Sequence, residues 1–354
     1  DHPTARQLAV LLQPEQETSV VAASLSSARV AAGEGVAVEG VSALLPAGAS
    51  SAPMTSRMVA CSCAAIVEVP AARWVMPALP EPLASRARHT GFVAGAQLAD
   101  NAAFGVSPVE AAAMDPCQRL LLERGYAALH DATLGRAALG GSLTGVFLGF
   151  GGSEFGQLLA TSPAGASVYA ATGSTSSIAC GRLSYALGLH GPCASYDTAC
   201  SSALAAGHAG LRALQQGECA AGLVAGVGLI LAPGVGVSFA VAGMTSARGR
   251  SHTFDVRADG YARGEACGAV ALRQSGAMGR LGVHGSAVRQ DGRSASLTAP
   301  SGQAQQGLLV AALTDAGVAV DALGLSEAHG TGTALGDPIE AGSLAGAVVR
   351  RREG

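Results

Sequence analysis

The hydrophobic residues of this chain occur in short runs that alternate with longer, helix-like stretches, and this alternation predicts a layered α/β protein. Strands are expected at residues 36–41, 145–150, 193–198, 223–231, 266–272, 281–288 and 323–328. Helices are expected at 115–129 and 303–316, in the alanine- and leucine-rich half of the stretch 197–216, and after the glycine-rich loop that begins at His329. The 354 residues allow one large domain or two ordinary ones, and no short repeat is visible.

One helix start is marked by several signals at once. Asp115 occupies an N-cap position, Pro116 follows at the first helical position, and Leu121, Leu122 and Leu129 recur with helical spacing. These signals predict a buried, amphipathic helix.

The stretch 219–244 carries no charged residue and is longer than a membrane-spanning helix needs to be. Pro233 and several glycines interrupt it. Because these residues break helices, we expect a buried strand, a turn and a second element rather than a membrane span.

The composition excludes several functional classes. Hydrophobic residues make up 49% of the chain and charged residues 13%, with 49 glycines, which is typical of a folded α/β protein. A net charge of −3 offers no basic surface for nucleic acid or anionic lipid. The eight cysteines show no metal-ligand spacing, so we expect no metal site and mostly buried, reduced thiols.

The stretch DTACSSAL places Cys200 where a predicted strand turns into a helix. The free amides and the dipole of a helix start stabilise negative charge on sulfur, and the small neighbours would let a carbonyl group approach. A buried structural cysteine fits the same pattern. His329 ends another predicted strand, at the edge where sites of open α/β sheets collect. A cysteine with a histidine suggests either a thiol protease or an acyltransferase.

A resemblance of two sequence motifs to a known family decides between the thiol protease and the acyltransferase. DTACSSAL and EAHGTGTALGDPIEA resemble the nucleophile and first-histidine motifs of β-ketoacyl synthases, in particular the ketosynthase domains of modular polyketide and fatty acid synthases. FGVSPVEAAAMDPCQRLLLE and TFDVRADGYARGEACGAV resemble further segments of the family in the same order. The resemblance extends from about Val36 to Gly354, and several long motifs in one order are a specific signal.

The resemblance implies a role for each residue of the two motifs. Cys200 would accept an acyl group from the phosphopantetheine thioester of an acyl carrier protein, and His329 would hydrogen-bond the malonyl thioester oxygen. Thr331 and Thr333 are similar to threonines that bind the phosphopantetheine arm, although turn hydroxyls that bind local backbone give the same pattern. The implied reaction is decarboxylative Claisen condensation, with an acyl carrier protein as partner and no cofactor bound directly.

Asp337 and Glu340 would support this site. For Asp337 the sequence favours ordinary helix capping, because an Asp-Pro pair is typical of a helix start. Glu340 resembles a glutamate that pairs with a catalytic-site lysine in the family.

The family also implies an architecture. A thiolase-like fold has two similar βαβαβαββ halves packed in five layers, and full-length members form homodimers. The family's catalytic lysine, second histidine and a glycine-rich loop follow the HGTGT motif, and the sequence ends before them. We therefore expect an incomplete second half and a chain that acylates Cys200 but lacks donors for condensation. The alternative is a non-elongating, acyl-holding or scaffold module.

The chain is expected to divide near residue 35. Residues 1–12 resemble the last helix of an acyl carrier domain, so 1–35 would be the end of that domain plus a linker, and 36–354 the ketosynthase domain of a longer protein. Within the second part, Glu39 lies in a strand that the family keeps apolar, and Gly181 and Arg289 stand where asparagine is usual. A buried, unpaired carboxylate at Glu39 would be costly.

Overall fold

The computed structural model of the protein describes residues 35–275 and 281–349. The carrier-domain helix and linker expected before residue 35 lie outside the described residues. The strands are β1 (Gly35–Leu44), β2 (Val67–Glu68), β3 (His89–Gly91), β4 (Thr144–Gly149), β5 (Cys193–Tyr196), β6 (Ala221–Gly228), β7 (Arg263–Gly264), β8 (Ala266–Ser275) and β9 (Leu281–Val283).

The α-helices connect these strands and cover the sheet. They are α1 (Ala52–Ala60), α2 (Leu83–Ala87), α3 (Pro108–Ala113), α4 (Pro116–Asp131), α5 (Arg136–Leu139), α6 (Phe155–Ala160), α7 (Ala170–Gly173), α8 (Ser176–Leu187), α9 (Ser202–Gln215), α10 (Pro233–Val241), α11 (Gly302–Ala316) and α12 (Gly336–Leu344). The prediction of a helix beginning at Asp115 is confirmed, since the Asp115 carboxylate accepts a hydrogen bond from the Cys117 amide at 2.7 Å.

A mixed sheet in the order β5-β4-β6-β8-β1-β9 forms the centre of the described structure. Strand β4 runs parallel to β5 and β6, whereas β8 runs antiparallel to β6 and β1. A smaller sheet joins β2, β3 and β7. The predicted α/β class is therefore confirmed.

The sheet is covered on both faces, which is why its central strands β4 and β6 are almost entirely apolar. Along β4, Val146 and Leu148 point into a core shared with α4 and α8, and Phe147 points into a second core shared with α9. This alternation with a period of two residues gives three layers, helix on sheet on helix.

Glu39 does not occupy a regular position in β1. The pairing of β1 with β8 shifts register between Val38 and Gly40, and Glu39 is only partly buried at this irregularity. A bulge leaves its extra residue outside the ladder and changes the direction of its side chain. The carboxylate therefore avoids the full burial that would have been costly.

The uncharged stretch 219–244 divides as predicted. It contains β6, a turn, and α10, whose first residue is Pro233. No helix in the described part of the chain is long and apolar enough to cross a membrane.

Two predicted strands are wrong in part or in whole. The strand expected at 281–288 ends at Val283, because it pairs with β1 over only three residues. The segment 323–328 contains no strand, and Leu325 in it is 85% exposed. Strands need a neighbour to bind their amides and carbonyls, and no strand of the described residues pairs with this segment.

Candidate functional site

Cys200 lies on a sharp bend between β5 and α9. The residues Ala199–Ser201 form a short 3₁₀ turn, and α9 begins directly afterwards at Ser202. Ala199 has a φ of 55°, in the left-handed region that residues with a Cβ rarely adopt. Such strain concentrates at functional sites, and here it presents an exposed cysteine at the start of a helix of 14 residues.

Hydroxyl groups hold the bend in place. The Ser202 hydroxyl accepts a hydrogen bond from the Thr198 amide at 2.9 Å and donates one to the Ala199 carbonyl at 2.7 Å. The Ser201 hydroxyl donates to the Thr198 carbonyl at 2.9 Å, and the Asp197 carboxylate accepts from the Ala199 amide at 3.1 Å. These bonds satisfy backbone groups on both sides of Cys200, so the position of its sulfur is well defined.

The first turn of α9 packs directly on β4. A Cβ atom at Gly149 would lie 2.4 Å from the Ala203 amide nitrogen, which no side chain could tolerate. Glycine at this position therefore allows the nucleophile turn to sit on the end of the central sheet.

His329 lies in an irregular loop, not at the end of a strand as expected. The Glu340 carboxylate accepts hydrogen bonds from the amides of His329 at 2.5 Å and Gly330 at 2.8 Å. A charged acceptor that binds two adjacent amides is a strong clamp. Glu340 therefore fixes the backbone from which the exposed imidazole projects.

Asp337 is a second clamp on the same loop. It does not cap α12, although it lies in the first turn of that helix, where a negative charge pairs favourably with the helix dipole. Its carboxylate, in a residue that is 4% exposed, accepts from the amides of Gly332 at 3.0 Å, Thr333 at 3.3 Å and Phe254 at 2.7 Å. All three amides lie outside α12, whose N-cap position, Leu335, has no side-chain hydrogen bond. The buried carboxylate joins the His329 loop to the segment around Phe254.

The two loop threonines differ in their contacts. The Thr333 hydroxyl accepts a hydrogen bond from the Gly336 amide at 3.1 Å, which is the local turn role that the sequence left open. The Thr331 hydroxyl lies 3.3 Å from that of Thr333. Both side chains are half-buried, and their binding of phosphopantetheine stays a prediction.

The segment 251–261 is hydrogen-bonded to the histidine loop. The Gly260 amide donates to the Gly332 carbonyl at 2.9 Å, and the Thr253 hydroxyl donates to the Gly330 carbonyl at 2.5 Å. At the end of this segment, burial raises the pKa of Tyr261, and the Arg263 guanidinium opposes this effect.

The comparisons with known proteins agree with these motifs. The sequence profile of the beta-ketoacyl synthase N-terminal domain matches residues 33–276, and that of the C-terminal domain matches residues 282–354. The chain belongs to the beta-ketoacyl synthase family. It resembles in particular the ketosynthase domains of modular polyketide synthases.

Among the relatives of this ketosynthase is the spectinabilin polyketide synthase system protein NorC of Streptomyces orinoci, 40% identical over 97% of this chain and 16% of NorC. Erythronolide synthase EryA3 of Saccharopolyspora erythraea is 41% identical over 93% of this chain and 10% of EryA3. The chain thus spans a small part of these synthases.

Two solved structures share the fold of this ketosynthase. The ketosynthase from module 6 of the Bacillus subtilis 168 bacillaene synthase matches with a TM-score of 0.80 and 30% identity, over 90% of this chain and 55% of that one. The Streptomyces albus JA3453 oxazolomycin ketosynthase domain OzmH KS7 matches with a TM-score of 0.80 and 32% identity, over 89% and 56%. The fold is therefore thiolase-like, and the chain spans about half of each solved structure.

The prediction that the eight cysteines of this ketosynthase are mostly buried is only half right. Cys117, Cys180, Cys219 and Cys267 are buried, but Cys61, Cys63, Cys193 and Cys200 are exposed. A hydrogen bond from the Cys193 thiol lowers the pKa of Cys180 to about 6, against an opposing effect of burial. The sequence does not predict that Cys180 and Cys193 are neighbours, because they belong to helix α8 and strand β5 and come together only in the folded protein.

Within the described residues, no group of three or more histidine, cysteine, aspartate or glutamate side chains could hold a metal ion.

Proposed function

We propose that this ketosynthase chain performs decarboxylative Claisen condensation, with Cys200 as acyl acceptor and His329 as hydrogen-bond donor to the malonyl thioester. The observation that carries the proposal is the strained turn that presents an exposed cysteine at the start of α9. A purely structural cysteine, buried at the start of a helix, would require neither the left-handed conformation of Ala199 nor the hydroxyl groups that hold the turn.

The first step transfers an acyl group to the protein. The Cys200 thiolate attacks the thioester carbonyl of an acyl carrier protein, and the phosphopantetheine thiol leaves as the new thioester forms. Helix α9 begins at Ser202, two residues after Cys200, and the positive end of its dipole stabilises the negative charge that develops on sulfur and on the carbonyl oxygen. Substrates arrive on the carrier's phosphopantetheine, so the ketosynthase itself binds no cofactor.

The second step forms the carbon–carbon bond. The malonyl carboxylate leaves as carbon dioxide, the resulting enolate carbon attacks the acyl carbon, and the Cys200 thiolate is released. His329 donates a hydrogen bond to the enolate oxygen, while Thr331 and Thr333 hold the phosphopantetheine arm. Glu340 and Asp337 support the site by fixing the loop that carries these three side chains.

The proposed architecture is a duplicated βαβαβαββ fold in five layers, with residues 36–354 as the ketosynthase domain, residues 1–35 as a carrier-domain end and linker, and a homodimer in the full-length protein. The strands β1, β4, β5, β6 and β8, with their intervening helices, have the order of elements expected for the first half. In the second half α11 and α12 lie in the expected order, but the strand expected between them at 323–328 does not form.

A second candidate is an acyl-holding module that loads Cys200 without condensation. It is favoured by Glu340, the counterpart of a lysine-paired glutamate in the family, because both of its carboxylate oxygens bind backbone amides of the His329 loop.

Mass spectrometry of the intact chain after incubation with an acyl carrier protein thioester tests the nucleophile. We expect one acyl adduct, its loss in Cys200→Ala, and its retention in Cys61→Ala, which removes an exposed cysteine outside the turn. An adduct that survives in Cys200→Ala contradicts the assignment.

Addition of malonyl carrier protein to the acylated chain distinguishes the two candidates. Release of carbon dioxide together with a product two carbons longer supports condensation. A stable adduct without carbon dioxide release supports the acyl-holding module.

A further inference from the structure

A small cavity lies at the start of α10. Its volume is about 20 Å³, and the residues that matter for its chemistry are Arg86, His89, Ala232, Gly236, Thr245 and Arg263. A cavity of this size has room for a single water molecule or a monatomic ion.

Two polar atoms at this cavity lack a hydrogen-bond partner among the described residues. They are the hydroxyl oxygen of Thr245, a residue that is 4% exposed, and the Nδ1 atom of His89. Buried polar groups in folded proteins are almost always hydrogen-bonded. Two such groups at one cavity therefore indicate a bound species that satisfies both.

The charge around the cavity is positive. Arg86 donates hydrogen bonds to the carbonyl oxygens of Thr245 and Asp259, and Arg263 lies over the Phe239 ring with 5.1 Å between guanidinium carbon and ring centroid. Across the described ranges, neither arginine forms an ion pair with a carboxylate. Burial lowers the pKa of Arg263, and the charges of Glu154 and Tyr261 oppose this effect.

The start of α10 also lines the cavity. Its N-cap residue, Ala232, has no side chain that could cap the helix, so the first-turn amides of this nine-residue helix depend on another acceptor. Gly236 lets the Arg263 guanidinium approach, since a Cβ there would lie 3.2 Å from its Nη1 atom. Helix starts of this kind bind anions.

We propose that this cavity binds one monatomic anion such as chloride, held by Arg86, Arg263, the Thr245 hydroxyl and the Nδ1–H of His89. Water would satisfy the hydroxyl and imidazole but would leave the two guanidinium charges without a counterion.

Thermal unfolding in sodium chloride and in sodium gluconate, at equal ionic strength, tests the proposal on the whole chain. We expect the midpoint in 100 mM chloride to be higher by roughly 1 to 3 °C, since a ligand of millimolar affinity stabilises the folded state by mass action. Equal midpoints in the two salts overturn the proposal, because they leave only a bound water.

The variant Thr245→Val separates the anion from a general salt effect. It keeps the shape of the side chain, and we expect it to remove the difference between chloride and gluconate. Thr161→Val is the matched control, since that hydroxyl is exposed and binds only the Leu158 carbonyl, and it should retain the full difference. If Thr245→Val instead raises the midpoint equally in both salts, the hydroxyl is an unsatisfied group and no anion is bound there.

Bromide supplies a second measurement that needs no variant. A crystal of the wild-type chain grown in bromide should give an anomalous peak at the cavity, next to the Arg86 and Arg263 guanidinium groups. A site without this peak contradicts the proposal.

Discussion

Residues 35–275 and residues 281–349 of this ketosynthase bury their apolar side chains to very different extents. In the first region two cores lie on opposite faces of the central sheet, with Leu129 and Leu214 fully buried. In the second, α11 contains no buried residue, and Leu297 and Leu325 are 103% and 85% exposed. Cys200 thus lies next to tightly packed elements, whereas the conformation of the His329 loop depends on a few charged hydrogen bonds.

This difference implies that mutations near Cys200 and mutations in the His329 loop should have different effects. Packing holds the elements beneath the nucleophile turn, so loss of this packing should appear as reduced stability of the whole fold. Polar clamps hold the histidine loop, so their loss should affect the chemistry more than the stability. Four comparisons of substitutions test this division.

The largest effect is expected from Glu265→Ala in the packed region. Glu265 is 1% exposed, and its carboxylate binds Arg73 at 2.8 and 3.0 Å and the amides of Val93 and Ile230 at 2.9 and 3.0 Å. Removing one partner of such a buried network costs about 3 to 5 kcal/mol in the free energy of unfolding. Equilibrium unfolding in urea measures this free energy. The control Glu68→Ala, which breaks an exposed pair with Arg88, should change it by less than about 1 kcal/mol.

Leu129→Ala and Leu325→Ala compare the same side chain in the two regions. Leu129 is completely buried, so its truncation should cost about 3 kcal/mol in unfolding free energy through lost transfer energy and a cavity. Leu325 is exposed, and its truncation should be within about 0.5 kcal/mol of wild type. Similar losses at both positions, measured by chemical denaturation, would show that the second region is packed after all.

Glu340→Ala should separate the two steps of the reaction. Without the carboxylate, the amides of His329 and Gly330 lose their acceptor, and the imidazole is displaced. A displacement of about 1 Å lowers the rate of carbon dioxide release roughly 100-fold. Acylation of Cys200, followed by intact mass, should continue at nearly the wild-type rate.

Glu327→Ala, at an exposed glutamate of the same region, is the control for Glu340→Ala and should leave both steps unchanged. A parallel loss of acylation in Glu340→Ala would argue against a role confined to the histidine loop.

The smallest effect is expected from Ser202→Ala at the nucleophile turn. The Ser202 hydroxyl bridges the Thr198 amide and the Ala199 carbonyl, so its removal should cost about 1 to 2 kcal/mol and slow acylation. Ser201→Ala is the matched control, because that hydroxyl is exposed and binds only Thr198. If Ser201→Ala lowered the stability and the acylation rate more than Ser202→Ala, the Ser201 hydroxyl would be the more important of the two clamps, against the prediction.

Much of the packed region could be predicted from the sequence because its signals are local. The helix start at Asp115, the apolar strand β4 and the junction before α9 are all defined by neighbouring residues. The second region was less predictable. An extended stretch such as 323–328 becomes a strand only when a partner lies beside it, and its own residues do not supply that information.

The sequence alone determined the α/β class, the family motifs and the placement of Cys200 where a strand meets a helix, since these follow from residue spacing and short-range backbone preference. Only the tertiary structure decided that Ala199 is left-handed, that Glu340 and Asp337 clamp the His329 loop, and that Thr245 faces a positive cavity. Each of these contacts satisfies a backbone or polar group through the fold around it, and its geometry is therefore set by how elements pack.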